Sequence, residues 1–361
     1  MTLEYLEITN IRIFDYIQIQ PDTQLNLIVG ANASGKSTIL ESIHLLGTGR
    51  TFSTIDIESV QRHETGQMCV AGDLYNQING KTRLKLTINN ENGKTASING
   101  VKQRQISSLA QYLPTQVISP ETHYHFFHNS KIRRGTLDWG LFHVEPSFHE
   151  LWTRYQKVLQ QRNSALKDRS KFKTLNVWDE ELVDSGEKLQ HTRLQLVEKL
   201  SPIFNQFCQE LLDQKLDVCM KLEMGWDENL GFREGIVCSR DRDIARGYTH
   251  LGPHRCDLKF MINNRPSEVC ASQGQLKLFV IALKLAQITF LQQIRSQQTC
   301  LLFDDLTAEL DHSHRSRLIR LLSLLNSQIF VTSTDLNQEF QLQWPSYKKF
   351  HVEHGNIFEF S

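Results

Sequence analysis

Apolar and polar side chains alternate along the N-terminal part of the chain in the way that β-strands require. Between residues 3 and 29 this pattern predicts two or three strands, the last of them Leu25 to Val29 after a turn at Pro21-Asp22. Residues 68–101 alternate in the same way. Asn-Gly pairs interrupt this second region, and such pairs favour the tight turns of antiparallel hairpins. The pairs are Asn79-Gly80, Asn92-Gly93 and Asn99-Gly100.

Helical spacing begins near residue 145, where apolar side chains recur every three or four positions. It predicts two long helices, over 147–169 and 179–213, with Pro202 kinking or splitting the second. Residues 216–265 return to short alternating runs with glycine turns. The remaining predicted elements are a helix from Gln275 to about Ile294, a buried strand Cys300 to Phe303, a helix from about His312 to Leu325 and a strand Ile329 to Val331.

A complete G-x-x-x-x-G-K-[ST] phosphate loop follows the strand that ends at Val29, and a helical pattern begins directly after it. In such a loop, backbone N–H groups and the positive end of the next helix converge on phosphate oxygens. We therefore predict a nucleoside triphosphate site in which Lys36 reaches the β- and γ-phosphates and Ser37 binds Mg²⁺. The residues expected to hold the nucleotide are Gly30, Ala31, Asn32, Ala33, Ser34, Gly35, Lys36, Ser37 and Thr38.

Two adjacent carboxylates follow the predicted buried strand Cys300 to Phe303. If that strand lies beside the phosphate loop in a parallel sheet, Asp304 can hold the Mg²⁺ shell and Asp305 can orient or deprotonate the attacking water. Hydrophobic strands often end in acids, so this pattern alone also fits an ordinary turn. Together with the phosphate loop it indicates Mg-nucleotide chemistry, with Asp305 and Lys36 as the predicted catalytic residues.

Ser272-Gln273-Gly274-Gln275 stands at the start of the long helix predicted to end near residue 294. In isolation this tetrapeptide is a helix cap. The order of phosphate loop, tetrapeptide, Asp-Asp strand and Ala308-Glu309-Leu310-Asp311 is, however, the layout of ABC-type ATPases, whose signature helix binds the γ-phosphate held by a second subunit. We therefore expect Ser272, Gly274 and Gln275 to complete the nucleotide site of a second copy, so that ATP joins two copies.

With these motifs the chain resembles the RecF family of bacterial recombination-repair ATPases, which is related to the heads of Rad50 and SMC proteins. Further motifs that carry the resemblance are Gly47-Thr48-Gly49-Arg50-Thr51-Phe52, Ser119-Pro120-Glu121, Arg133-Arg134-Gly135-Thr136-Leu137-Asp138-Trp139 and Gly252-Pro253-His254-Arg255. The resemblance implies an α/β fold, an ABC-type P-loop ATPase head with a second helix-rich lobe. We expect residues 1–118 and 298–361 to form the nucleotide-binding lobe and residues 119–297 the helix-rich lobe, which is too short for a long coiled coil.

The ATPase motifs depart from those of transporter-type ABC proteins. Asp305 stands where those proteins usually have the longer Glu, so we expect slow hydrolysis. Thr332-Ser333-Thr334 replaces the switch histidine, so a hydroxyl is expected to sense the γ-phosphate. Gln116 is the candidate for the glutamine that contacts Mg²⁺ in ABC proteins. For Arg12 and Arg50 two roles are open, contact with phosphates or DNA and plain surface salt bridges.

The 40 basic and 40 acidic residues balance, so any binding of nucleic acid must come from a local patch. The strongest patch is residues 131–173, with ten basic residues against four acidic ones. The candidates for DNA contact within it are Lys167, Arg169, Lys171 and Lys173, and the alternative is an ordinary solvated helix face. The resemblance implies ATP-dependent homodimers that bind duplex and gapped DNA and help RecO and RecR to place RecA there.

The seven cysteines are scattered without a C-x-x-C pair, and the N-terminus lacks the apolar segment of a signal peptide. These features lead us to expect a cytoplasmic protein without a membrane partner. Two other functions stay open at this stage. A transporter-type ABC subunit would need a membrane partner and the switch histidine, and a small-molecule P-loop kinase would leave the signature helix unexplained.

Charge reversal at Lys167, Arg169, Lys171 and Lys173 is expected to weaken DNA retention and leave ATP binding intact, because these side chains would neutralise DNA phosphates. A salt titration of DNA binding by the wild-type and variant proteins measures the effect. Identical affinities at every salt concentration would exclude this cluster as a DNA surface.

Overall fold

The computed structural model describes residues 1–53, 57–76, 80–91, 93–168, 173–212, 216–306, 310–334, 343–344 and 346–360. The chain forms two compact units. Residues 1–122 and 296–361 make up unit 1, and residues 123–295 make up unit 2. The functional lobe boundaries expected from the sequence, after residues 118 and 297, stay a prediction.

An antiparallel sheet in unit 1 contains the alternating N-terminal segments. Its strands, in spatial order, are β2 (Phe14–Ile19), β1 (Thr2–Ile11), β4 (Gln67–Asn76), β5 (Gly80–Asn89), β6 (Gly93–Ile98) and β7 (Val101–Lys102). The predicted hairpin turn at Asn99-Gly100 is confirmed, with positive φ angles of 50° and 80° that join β6 to β7. Asn79 and Asn92, in the other two predicted turns, lie outside the described residues.

A second, mainly parallel sheet in unit 1 carries the predicted nucleotide motifs. Its spatial order is β15 (Asn356–Phe360), β14 (Lys348–Glu353), β3 (Leu25–Val29), β13 (Gln328–Ser333), β12 (Cys300–Phe303) and β8 (Thr115–Ile118), and only β15 pairs antiparallel to its neighbour. Every residue of β8, β12 and β13 is buried. This burial explains the continuous apolar runs of β12 and much of β13, because a parallel strand in the interior is covered on both faces.

The helix after the phosphate loop, α1 (Lys36–Thr48), contacts strands of both sheets in unit 1. Ile39, Leu40, Ile43 and Leu46 are fully buried, in agreement with the predicted apolar face. The helix ends at Gly49, whose left-handed backbone lets its N–H donate to the Leu45 carbonyl at 2.8 Å. Both sheets and α1 therefore share one hydrophobic core.

The middle of the chain is mostly helical. Its elements are α2 (Thr122–His128), α3 (Ser130–Val144), α4 (Phe148–Lys167), α5 (Leu175–Leu212), β9 (Val218–Glu223), α6 (Phe232–Arg246), β10 (Asp257–Ile262), β11 (Arg265–Pro266), α7 (Ser267–Cys270) and α8 (Gln273–Arg295). The three long predicted helices are confirmed as α4, α5 and α8. Of the two predicted effects of Pro202, the split is wrong, because α5 continues through it, and the kink stays a prediction. α5 packs against α4 and α8, and these contacts offset the N–H group that the proline lacks.

The predicted helix near the C-terminus is confirmed as α9 (His312–Ser323), which follows β12 in the chain. Its N-cap is Asp311, whose side chain accepts a hydrogen bond of 2.9 Å from the backbone N–H of His314. Hydrogen bonds from the backbone N–H and the side chain of His314 and from the Ser313 hydroxyl hold the pKa of Asp311 well below its usual range. Asp311, which follows the Asp-Asp strand in the sequence, is therefore the N-cap of a helix.

A fully buried arginine organises unit 2. Arg162 of α4 donates from Nε to Asp179 of α5 at 2.6 Å, and from Nη1 to Asp243 of α6 at 2.8 Å and to Thr249 at 2.7 Å. Asp243, also fully buried, lies 2.7 Å from Nδ1 of His250. This network explains why the prediction of short alternating runs over residues 216–265 is wrong at α6. The polar segment forms a helix because its buried acid has a charged partner on another helix.

Among the described residues, α8 alone is long and apolar enough to cross a membrane by length and composition. Most of its apolar stretch is buried within the protein, including Phe279, Leu283 and Leu291. The core helix of a folded unit has these properties, so they give only weak evidence for a membrane span.

Asp243→Asn is expected to lower the free energy of unfolding by about 3–5 kcal/mol, because it leaves the buried Arg162 charge without one of its two carboxylate partners, Asp243 and Asp179. Urea denaturation measures this. The matched control is Asp184→Asn, which breaks an exposed pair with Lys188 and is expected to change stability by less than about 1 kcal/mol. Equal losses for the two variants would contradict the central role of Arg162.

Candidate nucleotide site

Three strands of the parallel sheet bring the predicted motifs to one edge. Val331 of β13 pairs with Leu27 of β3 on one side and with Phe303 of β12 on the other, and Ser333 pairs with Val29, so β3 and β13 end at the same level and β12 ends two residues earlier. A pocket of about 310 Å³ opens at this edge. The predicted site residues that line it are Asn32, Ala33, Gly35, Lys36, Ser37, Thr38, Asp304 and Asp305, and Arg12, Ile13, Thr332 and Thr334 line it as well. The volume is at the lower end of the range typical of ligand sites.

Close packing requires both glycines of the phosphate loop. A Cβ atom on Gly30 would lie 2.3 Å from the carbonyl oxygen of Val352 in β14. Gly35 has a φ of +112°, and a Cβ atom there would lie 2.8 Å from the ring of Phe14 in β2. Within the loop, the buried Oγ of Ser34 has no hydrogen-bond partner among the described residues. An unsatisfied hydroxyl in a cradle of this shape fits a site that receives phosphate oxygens.

Lys36 is folded over the phosphate loop. Its Nζ donates to the carbonyl oxygens of Gly30 and Ala31, at 2.8 Å each. Burial lowers the pKa of Lys36, and the nearby carboxylates of Asp305 and Asp304 oppose that shift. The carbonyl contacts are neutral, so the ammonium charge is available to a phosphate group in the pocket.

Hydroxyl and carboxylate oxygens meet beside Lys36. Ser37 Oγ donates to Asp304 Oδ1 at 2.8 Å, and Thr332 Oγ1 donates to the same oxygen at 2.6 Å. Neighbouring oxygen ligands of an octahedral Mg²⁺ lie about 3 Å apart, given metal–oxygen distances near 2.1 Å. The Ser37 hydroxyl and the Asp304 carboxylate therefore have the spacing and the oxygen chemistry of two Mg²⁺ ligands. Asp305 has a left-handed φ of 52°, and its N–H donates to Thr332 Oγ1 at 2.8 Å.

Thr332 has a role in the site that the sequence reveals only in part. The sequence suggested a hydroxyl in place of the switch histidine, and the structure adds a second property: Thr332 Oγ1 connects Asp304 to the backbone of Asp305. The sequence signal for this role is a hydroxyl residue directly after the predicted strand Ile329 to Val331. Only the strand order reveals that this strand and the Asp-Asp strand are neighbours.

Gln116 is not brought to the pocket. It is buried on β8 and pairs with Leu301 of β12, three residues before Asp304. Three residues span about 10 Å along a strand, and β8 continues to Ile118. The prediction that Gln116 contacts Mg²⁺ therefore has no support here.

The predicted signature residues lie in unit 2 at the start of α8. Ser272 and Gln275 form a reciprocal cap, in which Ser272 Oγ accepts from the Gln275 N–H at 3.3 Å and Gln275 Oε1 accepts from the Ser272 N–H at 2.9 Å. Ser272, Gln273 and Gly274 are exposed. The predicted helix cap at Ser272 is confirmed, and the role of these residues in a nucleotide site stays a prediction.

The structure divides the basic patch of residues 131–173 into two groups. Arg162 and Arg133 are buried and paired, Arg133 with Asp257 at 2.6 Å, so neither contributes to a surface. Lys167 at the end of α4 and Lys173 are exposed. Arg169 and Lys171 lie outside the described residues. The patch is therefore smaller than the charge count suggests.

Comparison with known proteins identifies similar chains. The family described as RecF/RecN/SMC N terminal domain matches residues 2–353. The DNA replication and repair protein RecF of Thioalkalivibrio sulfidiphilus is 36% identical over 99% of both chains, and that of Shewanella piezotolerans is 35% identical over 99% of both.

Solved structures agree with these relatives. The structure of the recombination mediator protein RecF-ATP in the RecFOR pathway matches with a TM-score of 0.87 and 25% identity, and covers 100% of this chain and 98% of that one. The Smc head bound to the C-winged helix domain of ScpA matches with a TM-score of 0.62 and 15% identity, over 100% and 98% of the two chains. The second likeness concerns the fold alone.

Thr332→Val is expected to lower the free energy of unfolding by about 1–3 kcal/mol, because the methyl group leaves the Asp305 N–H without its acceptor and removes a donor to Asp304. Chemical denaturation of the nucleotide-free protein measures the change. Thr332→Ser keeps the hydroxyl and should retain most of the stability. A Val variant as stable as the Ser variant would show that the hydroxyl contributes nothing to the site.

Proposed function

The chain belongs to the RecF family of the RecF/RecN/SMC group and has the ABC-type ATPase head fold, and on this basis we propose that it is an ATP-dependent DNA-binding protein of recombinational repair and replication maintenance. In this proposal it dimerises on ATP, binds duplex and gapped DNA in the cytoplasm, and supports RecA loading together with RecO and RecR. The observation that carries the proposal is the meeting of the phosphate loop with Asp304 and Asp305 in one pocket.

We assign the nucleotide to this pocket. The phosphate loop would hold the phosphates through its backbone N–H groups, with Lys36 supplying positive charge. Ser37 and Asp304 would hold Mg²⁺, which neutralises phosphate charge when bound. The solved RecF-ATP structure, which is similar over the full length of this chain, supports ATP as the nucleotide.

Hydrolysis is proposed to be slow. Asp305 is the candidate to orient the attacking water, and its short side chain starts from a backbone held by Thr332. Thr332 and Thr334 line the pocket and are the candidate hydroxyls in place of the missing switch histidine. A slow ATPase suits a switch, because the bound state persists long enough to be read by other proteins.

The exposed start of α8 supports ATP-driven dimerisation. Its N–H groups and hydroxyl form an anion-binding helix end, and Ser272 and Gly274 are accessible to a second molecule. In the proposed dimer, this end of one copy completes the phosphate contacts of the other. DNA contact is assigned to Lys167, Arg169, Lys171 and Lys173, with support from the exposure of the first and last of them.

The dimer proposal predicts different outcomes for two substitutions at Ser272. Ser272→Asn keeps both the cap and the neutral charge, whereas Ser272→Asp keeps the cap but places a negative charge opposite a phosphate. We expect sedimentation of the wild-type protein and the Asn variant to show dimers with MgATP and monomers with MgADP. The Asp variant should bind MgATP as a monomer.

Other results of this experiment would contradict the proposed interface or the whole proposal. ATP-driven dimers of the Asp variant would remove the signature helix from the interface. A wild-type protein that stays monomeric with MgATP and shows no shift with gapped duplex would contradict the proposal as a whole and favour a small-molecule kinase. Lys36→Arg tests the chemistry separately, since retained ATP binding with lost hydrolysis would place Lys36 in the transition state.

A further inference from the structure

Arg12 lies at the nucleotide pocket in the tight turn between β1 and β2. Its backbone has a left-handed φ of 45°, and its N–H donates to the carbonyl of Val60 at 2.8 Å. Its side chain is 34% exposed and lines the pocket together with Lys36 and Ser37. The position of its guanidinium therefore affects how the pocket binds a negatively charged ligand.

A buried carboxylate lies directly behind Arg12. Glu41 of α1 follows Ser37 by one helical turn and is completely buried. Its Oε2 lies 2.8 Å from Nη2 of Arg12, and its Oε1 accepts from Ser53 Oγ at 2.6 Å. Nη2 of Arg12 also donates to Ser53 Oγ at 2.7 Å, so the three side chains all contact one another. An isolated buried carboxylate is strongly unfavourable, so Glu41 needs the arginine charge.

We propose that Glu41 and Ser53 are positioning residues that hold Arg12 in place to contact the phosphates of the nucleotide. Both contacts use Nη2 alone. Among the residues that the structure describes, Nε and Nη1 of Arg12 have no hydrogen-bond partner, so the anchored guanidinium keeps donors for an anion. Glu41 and Lys36 stand on the same helix, which fixes Arg12 relative to the phosphate loop. The inference rests on the proposed ATP site.

A double-mutant cycle on nucleotide affinity tests the inference. Equilibrium binding of MgATP and MgADP is measured for the wild-type protein, Arg12→Ala, Glu41→Gln and the double variant. Arg12→Ala should weaken binding about tenfold or more, as expected for loss of a charged hydrogen bond. Glu41→Gln should weaken binding in the same direction. The double variant should bind no more weakly than Arg12→Ala, because no arginine is left to position.

The control is the same acid-to-amide change at Glu64, whose side chain is 86% exposed, and it should bind like the wild type. If Glu41 only stabilised α1, its effect would multiply with that of Arg12→Ala, and this outcome would overturn the inference.

Ser53→Ala keeps the buried ion pair and gives a milder second test that does not depend on the folding of Glu41→Gln. It should weaken binding about two- to tenfold in the wild-type background and not at all in the Arg12→Ala background. Normal affinity of both Glu41→Gln and Ser53→Ala would overturn the inference and leave the ATP site intact. A wild-type protein that binds no ATP would overturn both.

Discussion

The parallel register of β3, β13 and β12 is the constraint on which the nucleotide site depends. Ser37 and Asp304 are 267 positions apart in the chain, yet their side-chain oxygens lie 2.8 Å apart because the strand pairing fixes where β3 leads into the phosphate loop and where β12 ends. A shift of one residue in either pairing would move a strand end by about 3.3 Å. It would also turn buried apolar side chains to the opposite face. The hydrophobic core thus fixes the geometry of the polar pocket.

Local structural features were predictable from the sequence, because a few neighbouring residues determine each of them. The phosphate loop, the Asn99-Gly100 turn and the cap formed by Ser272 and Gln275 all have the form that their residue types imply. Strand and helix periods were equally readable wherever one face is apolar. The α/β class and the order of motifs followed from these local signals.

Features that depend on distant partners could not be read in this way. The α6 segment looks too polar for a buried helix until Asp243 is seen against Arg162, which lies 81 positions earlier. Pro202 marks a break by local rules, and only packing along α5 overrules it. Gln116 was assigned from its place in the sequence, but the register of β8 with β12 decides its depth in the sheet. Likewise, a count of basic residues cannot separate the buried Arg133 from the exposed Lys167.

The strand order of the parallel sheet also has a consequence for biosynthesis. β3 lies between β13 and β14, which the ribosome makes roughly 300 residues after it. At about 5–20 residues per second this delay is roughly 15–60 s, during which both edges of β3 lack their partners. Unit 2 is continuous in the chain and is complete before those strands exist. Until then the unpaired edges of β3 are open to pairing with strands of other chains.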